Sequence, residues 1–116
     1  MNKFNPVLDI SFKFALDIIE FSEQLEERKK FILSRQLLRS GTSIGANVRE
    51  AQSSESKPDF IHKMKITAKE AEETEYWLLL CNNARTYPNN EALISKVKEL
   101  QKILTSILYT AKNRLK

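Results

Sequence analysis

Apolar residues recur every three or four positions in four long blocks of this chain, and no stretch of any length alternates in the two-residue rhythm of a strand. The first block, Val7 to Phe21, predicts a helix over about 6–24, with Asn5 as its cap and Pro6 at the first helical position. The polar run Glu23 to Lys30 holds a short turn, and a second helix follows over about 27–53. Ser56-Lys57-Pro58-Asp59 is a restart signal. A capping serine, a first-turn proline and a carboxylate three residues after the cap open a helix over about 57–86. Tyr87-Pro88-Asn89-Asn90 breaks the chain again, an asparagine caps, and the last helix covers about 90–114. Four helices with short connections predict one all-α domain over 1–116, an antiparallel up-down-up-down four-helix bundle.

Seams with 4-3 spacing support this. They are Leu33, Leu37, Ser40, Ile44, Asn47 and Ala51 in the second helix, and Met64, Thr67, Ala71, Thr74, Leu78 and Cys81 in the third. The fourth helix carries Leu93, Val97, Leu100, Leu104, Ile107 and Ala111. Each stripe faces partner helices at a shallow crossing angle. The first helix is apolar around roughly two-thirds of its circumference, and only Asp9, Lys13, Asp17, Glu20 and Gln24 form a consistent polar stripe. That exceeds what a monomeric bundle buries, so self-association through this helix is expected.

Both glycines of the chain lie in Ser40-Gly41-Thr42-Ser43-Ile44-Gly45-Ala46-Asn47. A phosphate-binding loop needs a lysine and a hydroxyl after its last glycine, and here Ala46 and Asn47 follow. A dinucleotide fold needs a preceding strand, and Leu33 to Leu38 keeps helical spacing instead. Gly41 and Gly45, four apart, lie on one helical face, where small residues let another backbone approach. That approach offsets the roughly 1 kcal/mol each glycine costs inside a helix. Asn47 on the seam requires hydrogen-bond partners, and Ser43, Glu50, Glu70, Glu73 and Thr74 are the expected network.

Charge changes the picture by its distribution. The net +4 with pI near 9.2 is only mildly basic. Residues 1–27 hold two basic and six acidic side chains, residues 28–54 six basic and one acidic, and residues 89–116 six basic and two acidic. Arg28, Lys29, Lys30, Arg35 and Arg39 form one basic group, and Lys96, Lys98, Lys102, Lys112, Arg114 and Lys116 another. Contacts made there would be to phosphates, independent of sequence and weakened by salt. The absence of a recognition helix or zinc-finger spacing leaves sequence choice to RNA shape or to a protein partner. No run of about eighteen apolar residues crosses a membrane, and no signal-peptide pattern opens the chain. The single cysteine, Cys81, fits a reducing cytoplasm.

Chemistry-bearing sets are scarce. Asp59 and His62 share a helical face, but a di-iron bundle needs two such Glu-x-x-His motifs, and this chain has one histidine. Cys81 lies on a seam, as a structural thiol does. Glu70 and Glu73 sit among lysines, where ion pairing or a hydrogen-bond network accounts for them. No catalytic, cofactor-binding or metal residues are expected, and Tyr76 and Trp77 are read as packing residues.

Leu38 to Ala51, Asp59 to Lys63 and Lys69 to Leu78 together resemble the four helix bundle protein family, also called the 23S rRNA intervening-sequence protein family. The resemblance runs from about Phe12 to Leu108, through S-I-x-x-N-x-x-E and K-E-x-x-E-T-x-Y-W-L. It implies a left-handed antiparallel four-helix bundle assembled as a homopentameric ring. The family so resembled includes proteins encoded within intervening sequences of bacterial 23S rRNA genes. A related branch of retroelement accessory proteins binds nucleic acid and a reverse transcriptase. The family pattern falls on Ser43, Asn47, Glu50, Glu70, Glu73, Thr74 and Trp77, with Gly45 beside them. The resulting expectation is a non-enzymatic cytoplasmic oligomer that binds RNA or DNA, through Arg28, Lys29, Lys30, Arg35, Arg39, Lys98 and Lys102. The alternative is a scaffold for a protein partner with no nucleic acid.

Overall fold

A computed structural model describes residues 5–114. Four helices fill it: α1 (Pro6–Glu27), α2 (Phe31–Ala51), α3 (Lys57–Asn83) and α4 (Glu91–Arg114). α1 meets α2 and α4, and α3 meets α2 and α4, whereas neither diagonal pair touches. Numbers run in opposite senses across each seam, Ser34 meeting Ser22 and Gly41 Ile18, Lys30 meeting Thr86 and Arg39 Glu73, Asn90 meeting Leu78 and Gln101 Ala71, so successive helices are antiparallel. The bundle measures 49 × 27 × 20 Å. Among the described residues no helix is long and apolar enough to cross a membrane.

The starts of α1 and α3 follow the cap chemistry. Asn5 Oδ1 accepts from the Leu8 amide at 3.4 Å, and Ser56 Oγ from the Asp59 amide at 3.1 Å. Asn90 does otherwise. Buried at the head of α4, it donates through Nδ2 to the Leu78 carbonyl at 3.1 Å, tying α4 back to α3.

The turn between α1 and α2 departs from the sequence expectation. α1 runs to Glu27, and α2 starts at Phe31 rather than near 27. The Lys30 amide donates to the Leu25 carbonyl at 2.8 Å and the Lys29 amide to Glu26 at 2.9 Å. This is a Schellman closure, with Lys29 at φ 64° where glycine is usual. No glycine marks the stop, so the helix end was invisible in the sequence.

Small residues set the α1–α2 contact. A Cβ on Gly41 would sit 2.8 Å from Ile18 Cγ1, and one on Gly45 3.3 Å from the Ser11 carbonyl oxygen. Ser22 and Ser34, both buried, exchange hydroxyl-to-carbonyl bonds of 3.4 and 3.0 Å. The α3 seam is buried throughout, from Met64 to Cys81. On α4 the seam is buried except for half-buried Ile107. On α2 the buried set is Ser34, Leu37, Ser40, Gly41, Ile44, Val48 and Ala51. Asn47, expected on that seam, is half-buried and makes no side-chain hydrogen bond among the described residues, and Val48 holds the core position. The small residues Ser34 and Gly41 count as core against α1, which an apolar pattern does not register.

Two stability results are expected. Gly41→Ala lowers stability by up to about 2 kcal/mol in urea unfolding, because overpacking against buried Ile18 costs about 1–3 kcal/mol and the gain in helix propensity returns about 1. Gly45→Ala costs less, since its contact is looser. Equal effects at the two sites would contradict this packing. Lys29→Gly raises stability by about 0.5–1 kcal/mol by relieving the left-handed conformation.

Candidate interaction surfaces

Arg39 is the centre of a polar cluster along the outer seam between α2 and α3. Its guanidinium bonds the Glu73 carboxylate, lies 3.6 Å from Glu70 Oε1, and donates to Gln36 Oε1 at 3.0 Å. Glu73 also accepts from Trp77 Nε1 at 2.9 Å, which fixes the indole against α3. Beneath, Thr74 Oγ1 lies 2.9 Å from Ser40 Oγ and 2.8 Å from the Glu70 carbonyl, so the two hydroxyls bond in the core. Ser43 turns its hydroxyl back to the Arg39 carbonyl at 2.6 Å. Glu70, Glu73, Thr74 and Trp77 therefore meet as one cluster.

Asn47 and Glu50 lie outside that cluster. Glu50 is exposed, and neither side chain bonds to the others. Sequence reasoning placed Arg39 in a phosphate-binding group and missed its pairing with two carboxylates across the seam. The antiparallel register, which sets residue 39 opposite 73, is a tertiary fact.

The predicted nucleic-acid set divides. Arg28 and Lys29 occupy the α1–α2 turn rather than a helix, and Arg35 lies one turn into α2. All three are exposed, with no carboxylate oxygen within 4.0 Å among the described residues. Lys30 is drawn to the α3–α4 turn, where Nζ donates to Thr86 Oγ1 at 3.1 Å and lies 5.0 Å from the Tyr87 ring centre. Lys98 and Lys102 stand exposed on α4, diagonally across the bundle from α2. Lys96 pairs with Asp17 at 2.6 Å. Lys116 lies outside the described residues.

The apolar excess of α1 is exposed. Phe12, Leu16 and Ile19 are 60, 47 and 38% accessible. They follow one helical stripe beside α2, which itself exposes Phe31 and Leu38. A groove of about 340 Å³ beside this stripe is lined by Phe12, Ala15, Thr42, Gly45 and Ala46 among others. Chemistry-bearing groups are dispersed by comparison. His62 is exposed, and Asp59 turns to Lys63 and the Glu55 amide instead. Among the described residues no three His, Cys, Asp or Glu side chains are grouped to hold a metal ion. Burial pushes the Cys81 thiol from its ordinary 9.0 up to about 11, which keeps it protonated and unreactive at neutral pH.

Thr74→Val is expected to cost about 1–2 kcal/mol, because it strands the buried Ser40 hydroxyl. Adding Ser40→Ala recovers much of that loss. A double variant no more stable than Thr74→Val in thermal unfolding would show that the two hydroxyls are not coupled.

The sequence model described as 23S rRNA-intervening sequence protein matches residues 4–106. A crystal structure of a protein of unknown function from Bacteroides thetaiotaomicron, described as of the S23 ribosomal protein family, is 44% identical. The match covers 88% of this chain and 97% of that one, with a TM-score of 0.83. No curated protein matches. By the match over residues 4–106, on a bundle of the same architecture, the chain belongs to the 23S rRNA-intervening sequence protein family.

Proposed function

We propose that this protein is a non-enzymatic, cytoplasmic, oligomeric helical scaffold that binds structured RNA through phosphate contacts. The observation that carries the reading is the set of exposed cations on two separate corners. Arg28, Lys29 and Arg35 lie on one side and Lys98 and Lys102 on the other, with no neighbouring carboxylate within 4.0 Å among the described residues. A lone subunit cannot present both groups to one stretch of backbone, because α2 and α4 are diagonal. A closed head-to-tail assembly would bring one subunit's α2 corner near another's α4 corner. The stripe Phe12, Leu16 and Ile19 supplies one exposed apolar face for such an assembly, to be covered by a different face of the next subunit.

A homopentamer, as the family resemblance implies, would multiply the net +4 of each chain to about +20. Such a particle attracts nucleic acid at long range and loses it as salt releases the counterion advantage. The other reading, a scaffold for a protein partner, has its own support. Ile32 is 75% exposed on α2 and Leu80 is exposed on α3, apolar side chains left open on two neighbouring helices.

Native mass with and without a structured RNA separates these readings. The expected result is an assembly of about five subunits that takes up RNA near 50 mM salt and releases it near 200 mM. An assembly that ignores RNA at both salts favours the protein scaffold. A monomer removes the assembly and the ring argument with it.

A further inference from the structure

We infer that the outer ridge of α4 is a track for an unpaired RNA segment, with Tyr109 as its base-stacking platform. This inference rests on the nucleic-acid reading above and narrows it to a surface and a strand state. At 100° per residue, Ser95, Lys98, Lys102, Ser106, Tyr109 and Asn113 lie within one quadrant of α4, opposite the buried Leu93, Leu100 and Leu104. Every one of the six is exposed. The ridge itself carries no carboxylate between Ser95 and Asn113, and Glu99 stands on its flank toward α1. Lys98 and Lys102 are one turn apart, about 6 Å, on the same line.

Tyr109 is the informative residue. It is 70% exposed, the most accessible tyrosine among the described residues, and makes no side-chain hydrogen bond there. Tyr76, the other exposed tyrosine, packs against Trp77 with ring centres 5.3 Å apart, and Tyr109 has no such partner among the described residues. Its ring stands along the helix from the lysines, about 10 Å past Lys102. Cations that hold phosphates, together with a free aromatic face, are the two parts of a single-strand site. A ring projecting from a convex helix cannot reach a base already stacked inside a duplex, so the base it takes must be unpaired.

Fluorescence anisotropy tests this with a short unstructured RNA oligonucleotide and the same sequence in a duplex. Native mass of each variant checks that its assembly is unchanged. The single strand is expected to bind more tightly than the duplex. Tyr109→Ala should weaken single-strand binding about fivefold or more, since stacking on one base is worth about 1–3 kcal/mol, and Tyr109→Phe should retain it. Replacing Lys98 and Lys102 together by alanine should lower the slope of log affinity against log salt by about 1.4, for two lost phosphate contacts. Binding by the parent that is indifferent to Tyr109→Ala and to the double lysine variant would overturn the α4 track and leave the nucleic-acid reading standing. Equal affinity for the duplex would overturn the unpaired-strand assignment. A parent that binds neither form would overturn both the track and the reading beneath it.

Discussion

The close approach of α1 to α2 is the constraint on which the rest depends. Gly41 under Ile18 and Gly45 under the Ser11 carbonyl leave no room for a Cβ at the first and little at the second. The paired Ser22 and Ser34 hydroxyls keep two backbones near each other further along. Two helices this close bury small residues between them rather than large ones. The large apolar residues of α1 that flank the contact are therefore displaced outward, and Phe12, Leu16 and Ile19 meet solvent.

The same geometry sorts the charges. Antiparallel pairing of α2 with α3 places Arg39 against Glu70 and Glu73, removing one guanidinium from the exposed basic group. These ion pairs are partly solvated, so their contribution is small beside that of the buried hydroxyl pair below them. The Schellman closure sets Arg28 and Lys29 at the end of the bundle, and Lys30 is turned onto Tyr87. What remains available of the predicted set is split between opposite corners, Arg28, Lys29 and Arg35 on one and Lys98 and Lys102 on the other. A function that needs many cations on one surface then requires more than one subunit.

Much of the fold was legible in the sequence because helices obey local rules. Asn5 and Ser56 cap where their hydrogen-bonding side chains precede a proline and a periodic run. The α3 seam repeats so regularly that all six positions are buried. The α2 seam was misread at Asn47, because the residues that pack on α1 are glycine and serine and carry little hydrophobic signal. The start of α2 was misread for a related reason. Lysine at a left-handed position leaves no mark, where glycine would have. The surfaces were less legible still, since Arg39 and Arg35 look alike in sequence and differ only in what stands opposite.

By itself, then, the sequence determined four helices, three of their apolar stripes, the surplus apolar surface of α1 and the family to which the motifs point. Periodicity, caps and composition are properties of short stretches, and they act within a few residues of where they are written. Tertiary structure decided which cations stay unpaired, which polar residues join in the Arg39 cluster, and that α2 and α4 lie on opposite corners. It also decided that the α4 face carrying Lys98, Lys102 and Tyr109 is left uncovered. Those outcomes depend on helix register and neighbour, which are fixed by packing between residues far apart in the chain.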